Sequence, residues 1–127
     1  ALEFVGLGDV ADEPVSSLNT GDLRRMEFAR ALASEPEILL ADECLAGLSG
    51  QDAQVVVQLL RAIQARGVTV VVIEHTMSAM VDLVDRFVVL DHGRVIANDV
   101  PERIVKDQNV IEAYLGKKWA EGANVAG

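Results

Sequence analysis

The chain has 127 residues, of which half are hydrophobic and only 4% aromatic. That amounts to one domain, with a core of Val, Leu, Ile and Ala rather than of rings. A formal charge of −9 argues against non-specific binding to DNA, RNA or an anionic membrane, all of which repel an acidic surface.

The single cysteine, Cys44, has no internal partner for a disulfide, so a reducing cytosol is the expected compartment. No apolar run is long enough to cross a bilayer; the longest, Val68 to Ile73, has the length of a strand. The opening "ALEFVGLGDVADE" lacks the basic start and apolar middle of a signal peptide, and it lacks an initiator Met, which leads us to expect processing or truncation.

Residues 1–13 read as a short or broken helix with Leu2, Val5 and Leu7 as its apolar members, and "DEPVSSLNTGD" reads as a loop. A helix is expected after Thr20 or Asp22, where Leu23, Met26, Ala29, Arg30 and Ala33 repeat near helical spacing; Ser34 and Pro36 end it. Glu37 to Ala41 has the pattern of a short strand. In "GLSGQDAQ", Ser49 followed by Asp52 is an N-cap arrangement. The helix it opens carries a stripe of Val55, Val56, Leu59, Leu60 and Ile63 and ends at Gly67. "VTVVVI" is β-branched and predicts a fully buried strand. A helix follows near Met77 to Val84, then a hairpin in "RFVVLDHGRVIAND" that turns at Asp91-His92-Gly93. Pro101 suits the first position of a short helix, and a last helix is expected from about Asn109 to Leu115.

Apolar strands alternating with amphipathic helices indicate an α/β fold: a layered sheet with a parallel core, a C-terminal β-hairpin and flanking helices. We expect residues 1–21 to hold a loop and the end of a helical subdomain, 22–115 the core, and 116–127 a flexible tail that includes Trp119. In such sheets ligands gather at the carboxyl ends of the strands, where Asp42, Glu43, Glu74 and His75 all fall. Two adjacent acids at a strand end need water or a cation, because an unpaired buried carboxylate is costly. An acid there commonly helps to hold Mg²⁺ in a nucleotide triphosphatase, and a second is placed to polarise an attacking water.

Combined with "SLNTGDLRRMEFARAL", these residues carry a resemblance. The chain resembles the C-terminal half of an ABC-transporter ATP-binding subunit, a partial P-loop NTPase-like fold. Leu18, Asn19, Thr20, Gly21 and Asp22 stand at the family's signature motif, Leu-Ser-Gly-Gly-Gln, and "RRMEFARALASEPEILLADE" matches the signature helix and Walker B strand. "AGLS", ending at Ser49, matches the D-loop, and "VVIEHTM" the switch-histidine region. "MEFARAL", "EHTM" and "VIEAYLG" resemble the branch that serves branched-chain or other hydrophobic amino acids.

The resemblance implies that Asp42 acts on Mg²⁺, Glu43 on the hydrolytic water and His75 on the γ-phosphate of ATP. The signature loop, at a helix N-terminus that attracts anions, and Ser49 would serve the ATP of a second ATP-binding subunit, with Gly21 letting the backbone approach a phosphate. Membrane-embedded permease subunits are the implied partners, with the chain peripheral on the cytoplasmic face of the cell membrane and no nucleic acid involved.

The departures matter as much. No G-x-x-x-x-G-K-[ST] occurs, and the only lysines are Lys106, Lys117 and Lys118, so the chain alone is expected to bind ATP poorly and hydrolyse none. Asn19, Thr20, Asp22, Cys44 and Ser49 replace residues usual in the family. The family's phosphate-loop strand would lie beside Val68–Ile73, so the exposed edge should lead to strand repair within the chain, self-association, or a place in a longer parent. Two other readings compete. One is a non-catalytic interaction module. The other is the C-terminal lobe of a DNA-repair or chromosome-structuring ATPase, disfavoured by the charge of −9.

Overall fold

The computed structural model describes residues 1–114, so Leu115, the expected tail over 116–127 and Trp119 lie outside the described residues. The chain forms two compact units, Ala1–His75 and a second that begins at Thr76.

In the first unit the opening residues make turns and a short 3-10 helix, Gly8–Val10, rather than an α-helix. They are anchored all the same. Val5 and Leu7 are buried, Phe4 lies beneath the Arg66 guanidinium at 4.5 Å, and Arg25 donates to the Val5 carbonyl at 3.3 Å. Helix α1 (Thr20–Leu32) starts where Asn19 caps it, its side-chain oxygen accepting the Asp22 N–H at 2.8 Å. Gly21, Phe28 and Ala29 form the buried face of α1, whereas Arg30 and Ala33 of the expected stripe are exposed.

Strand β1 (Ile38–Asp42) runs one residue beyond expectation, and its alternation buries Leu39 and Ala41. Helix α2 (Gly50–Ala65) opens on the Ser49 cap and ends before Gly67, whose φ of +91° suits glycine. Its Val56, Leu59, Leu60 and Ile63 are buried and Val55 is not; the helix packs on β2 (Thr69–Ile73) and on α1. β1 and β2 pair in parallel, in register from Ile38↔Thr69 to Asp42↔Ile73.

The expectation of a fully buried β2 is corrected. Thr69, Val71 and Ile73 are exposed, and Val70 and Val72 are half-buried. Only one face is covered by α2, and among the described residues β2 pairs with β1 alone. The open face therefore presents Ile38, Leu40, Val71 and Ile73 to solvent, and the expected strand repair within the chain does not occur among the described residues.

The second unit begins with helix α3 (Met77–Val81), shorter than expected. The hairpin of β3 (Phe87–Asp91) and β4 (Arg94–Asp99) is a separate two-stranded antiparallel sheet with an irregularity at Val89/Leu90. His92 and Gly93 both take positive φ, 48° and 77°, as a tight two-residue hairpin turn requires. Pro101 opens helix α4 (Pro101–Ile104), and residues 108–114 form a further helix whose first N–H groups bond to the Asp107 carboxylate. Among the described residues of this unit, Met80, Phe87, Pro101, Ile104 and Val110 are buried.

Candidate functional site

Parallel pairing aligns the carboxyl ends of β1 and β2, so the residues just past each strand emerge side by side. The Glu43 N–H extends the ladder by one more bond, to the Ile73 carbonyl at 2.8 Å. Beyond it the two side chains meet: His75 Nε2–H donates to Glu43 Oε1 at 2.5 Å, in the tautomer or the imidazolium that carries that proton. Both are open to water, with side-chain exposures of 72% and 50%. A pair this exposed is free to exchange partners, which suits groups that meet a ligand and not groups that hold a core together.

Glu43 adopts φ +51°, a left-handed conformation rare in a residue with a side chain. The turn after it closes through the Ala46 N–H to the Glu43 carbonyl at 3.2 Å. Arg24, from α1, donates to the carbonyls of Glu43 (3.2 Å) and Ala46 (3.1 Å). From the other side Glu74 Oε1 accepts the Leu45 N–H at 3.0 Å. Asp42 is exposed, on the same side of β1 as Ile38 and Leu40. Cys44 is buried, and that burial, reinforced by the nearby Glu74 charge, pushes its thiol up from 9.0 to about 11. Such a thiol is a poor nucleophile near neutral pH, with desolvation the larger cause and the acid the smaller.

Between α1 and β1 a recess of about 140 Å³ is lined by residues including Arg24, Phe28, Leu39, Asp42 and Cys44. Ligand pockets start near ~300 Å³, so it does not hold a nucleotide. A divalent cation is only partly provided for. Among the described residues no three His, Cys, Asp or Glu side chains cluster for a metal, and Asp42 offers one carboxylate. That suits Mg²⁺ only where phosphate oxygens and water complete its shell.

The signature-like segment lies elsewhere in this unit. Asn19 and Thr20 begin α1, and the Asp22 carboxylate is paired with Arg25. Gly21 is buried, and a Cβ placed on it would lie 2.8 Å from Cγ and Oδ1 of Asp52. The close approach that Gly21 allows is thus made here by Asp52, a carboxylate of this same chain. Ser49 caps α2: its hydroxyl accepts the Asp52 N–H at 3.2 Å and donates to Asp52 Oδ2 at 3.0 Å. Glu43 and His75 are therefore brought together, with Asp42 one residue away, while Gly21 touches another group. Arg24, Glu74 and Asp52 acquire contacts that spacing did not foretell. Arg24 is one of two adjacent arginines, both of which make contacts, Arg25 with Val5 and Asp22, and nothing in the sequence says which one reaches the turn after β1.

Sequence comparison matches residues 1–46 to the ABC transporter family model and residues 94–120 to the model for the branched-chain amino acid ATP-binding cassette transporter. The high-affinity branched-chain amino acid transport ATP-binding protein LivG of Escherichia coli K12 is 38% identical over 117 residues, 91% of this chain and 46% of LivG. A crystal structure of an ATP-binding cassette of an ABC transporter, in its ADP conformation, superposes with a TM-score of 0.83 at 28% identity, over 91% of this chain and 47% of that one. By sequence and by fold, the chain is similar to about half of an ABC-transporter ATP-binding cassette. BraF of Pseudomonas aeruginosa, likewise a high-affinity branched-chain amino acid transport ATP-binding protein, is 36% identical over 91% of this chain and 46% of BraF. The Nod factor export ATP-binding protein I of Burkholderia orbicola is 37% identical over 89% of the chain and 38% of its own length. The chain spans just under half the length of LivG and of BraF.

Proposed function

We propose that the chain is the C-terminal half of an ATP-binding subunit that couples ATP binding and hydrolysis to the import of branched-chain amino acids. The observation that carries this reading is the meeting of Glu43 and His75 at adjoining parallel strand ends, at 2.5 Å, with Asp42 the next residue along β1. Glu43 would take the proton of an attacking water as general base, and its exposed carboxylate is open to that water. His75, once released from Glu43, has an imidazole N–H to give to the γ-phosphate of ATP. Asp42 would hold Mg²⁺, which supplies charge neutralisation of the phosphates when bound. The signature segment Leu18–Asp22 and Ser49 would face the nucleotide of a second ATP-binding subunit, with permease subunits in the membrane receiving the motion at its cytoplasmic face. The solute class rests on the cassette model over residues 94–120 together with LivG and BraF. No phosphate-binding loop with its lysine occurs in the 127 residues, so by themselves these residues are expected to hydrolyse no ATP.

One observation favours a second reading, a non-catalytic interaction module. Asp52 against Gly21 sets one of the chain's own carboxylates on the signature segment, where it repels phosphate. Isothermal titration with Mg-ATP separates the two. The chain alone should show no heat of binding. Joined to the part of LivG that it does not match, it should bind and hydrolyse Mg-ATP, and Glu43→Gln should keep binding and lose turnover. A joined protein that binds no Mg-ATP, or whose turnover ignores Glu43→Gln, would overturn the catalytic reading.

A further inference from the structure

We propose that Arg24 is the positioning residue for Glu43. A residue with a side chain persists at positive φ only where its surroundings over-determine it. Around Glu43, at φ +51°, those surroundings can be named. The Glu43 N–H is tied to Ile73 of β2, and the Glu43 carbonyl accepts both the Ala46 N–H and one arm of the Arg24 guanidinium, each at 3.2 Å. The other arm of Arg24 takes the Ala46 carbonyl at 3.1 Å, so the planar fork bridges the two ends of the turn. Glu74 draws the Leu45 N–H the opposite way. The backbone is thereby held from α1 on one side and from the end of β2 on the other, and the Glu43 side chain is left pointing at His75.

The arrangement makes α1 the element that sets the Glu43 carboxylate. Any displacement of α1 relative to β1 pulls on the two carbonyls and so re-aims the acid. A lysine cannot reproduce this, because one ammonium does not fork across two carbonyls in a fixed plane. The purpose assigned to Glu43 rests on the function proposed above. The clamp itself does not, and its test uses no nucleotide.

The test is NMR on the isotopically labelled 127-residue chain, comparing Arg24→Met, which keeps the apolar stem and loses both donors, with Arg24→Lys. In Arg24→Met, amide exchange at Leu45 and Ala46 should accelerate about tenfold, the scale of one charge-assisted hydrogen bond at a half-exposed site. The Glu43 Cα shift should move to extended values and the His75–Glu43 cross-peak should vanish. Exchange at Ile63 and Val71 should stay unchanged, which distinguishes re-aiming from global unfolding. Arg24→Lys should restore part of the protection. Unchanged exchange at Leu45 and Ala46, with Glu43 still left-handed in Arg24→Met, overturns the proposal. If Arg24→Met loses its fold, Arg24→Lys decides alone: intermediate acceleration at Leu45 and Ala46 supports the clamp, and wild-type exchange overturns it. A completed cassette that fails to hydrolyse ATP would refute the catalytic reading and leave these shifts untouched.

Discussion

Gly21→Ala should change the sign of its effect on stability according to what stands at position 52. Inside a helix, Ala is favoured over Gly by up to ~1 kcal/mol, since Gly loses more backbone freedom on folding. Here the new Cβ would meet Cγ and Oδ1 of Asp52 at 2.8 Å and Oδ2 at 3.1 Å, well inside contact distance. Asp52 is short and cannot fold its far end away. It must rotate, and rotation breaks the bond from the Ser49 hydroxyl to Oδ2 at 3.0 Å. That bond contributes ~1 kcal/mol, and moving the carboxylate from the N-terminus of α2 loses a further ~0.5 kcal/mol. With residual crowding, the substitution should cost about 1 kcal/mol in the wild-type background. In Asp52→Ala the obstacle is gone, and the same change should stabilise by up to ~1 kcal/mol. Urea unfolding of the four proteins, followed by far-UV circular dichroism at neutral pH, gives the coupling, about 2 kcal/mol. Equal effects of Gly21→Ala in both backgrounds, within ~0.3 kcal/mol, would refute the reasoning and return Gly21 to the role of opening the backbone to an incoming phosphate.

Three further outcomes are expected. Asn19→Ala removes the oxygen that accepts the Asp22 N–H at the start of α1 and should cost about 1 kcal/mol in a thermal melt, with Asn19→Asp close to wild type. Cys44 holds its proton more tightly when folded, at about 11 against 9.0, so the stability this contributes is complete below 9.0 and is lost as pH rises through 11. The loss is at most ~3 kcal/mol; Cys44→Ala should remove that alkaline slope in pH-dependent unfolding, and a disulfide dye should not label the native thiol near neutral pH. Leu40, at 73% exposure, lies on the open side of β1, so sedimentation of the wild type should depend on concentration. Leu40→Lys should abolish that dependence while changing stability by no more than ~0.5 kcal/mol.

The order of elements was legible because periodicity and capping are local signals. Ser49 three residues before Asp52, Gly67 after the stripe of α2, Asp91-His92-Gly93 between two apolar runs and Pro101 at a helix start each act within a few residues of themselves. The juxtaposition of Glu43 and His75 was also legible, since two short parallel strands deliver their next residues to the same edge of the sheet. The contacts that failed to show were non-local. The reach of Arg24 to the turn after β1, the contact of Glu74 with the Leu45 amide and the seat of Asp52 against Gly21 join residues about 20 to 30 positions apart. The burial of "VTVVVI" was misjudged for a related reason. A β-branched run encodes fitness for a pleated surface, and whether both faces are covered depends on how many neighbours the sheet has.

β2 leaves one flank bare among the described residues: five positions, Thr69–Ile73, without a charge, a proline or a glycine to blunt it. Main-chain groups on such a flank bind any extended peptide that arrives, and they do not discriminate between a rightful companion and a second copy. A flank covered by a companion strand is sheltered, whereas a bare one invites pairing with further copies, the more so the higher their concentration.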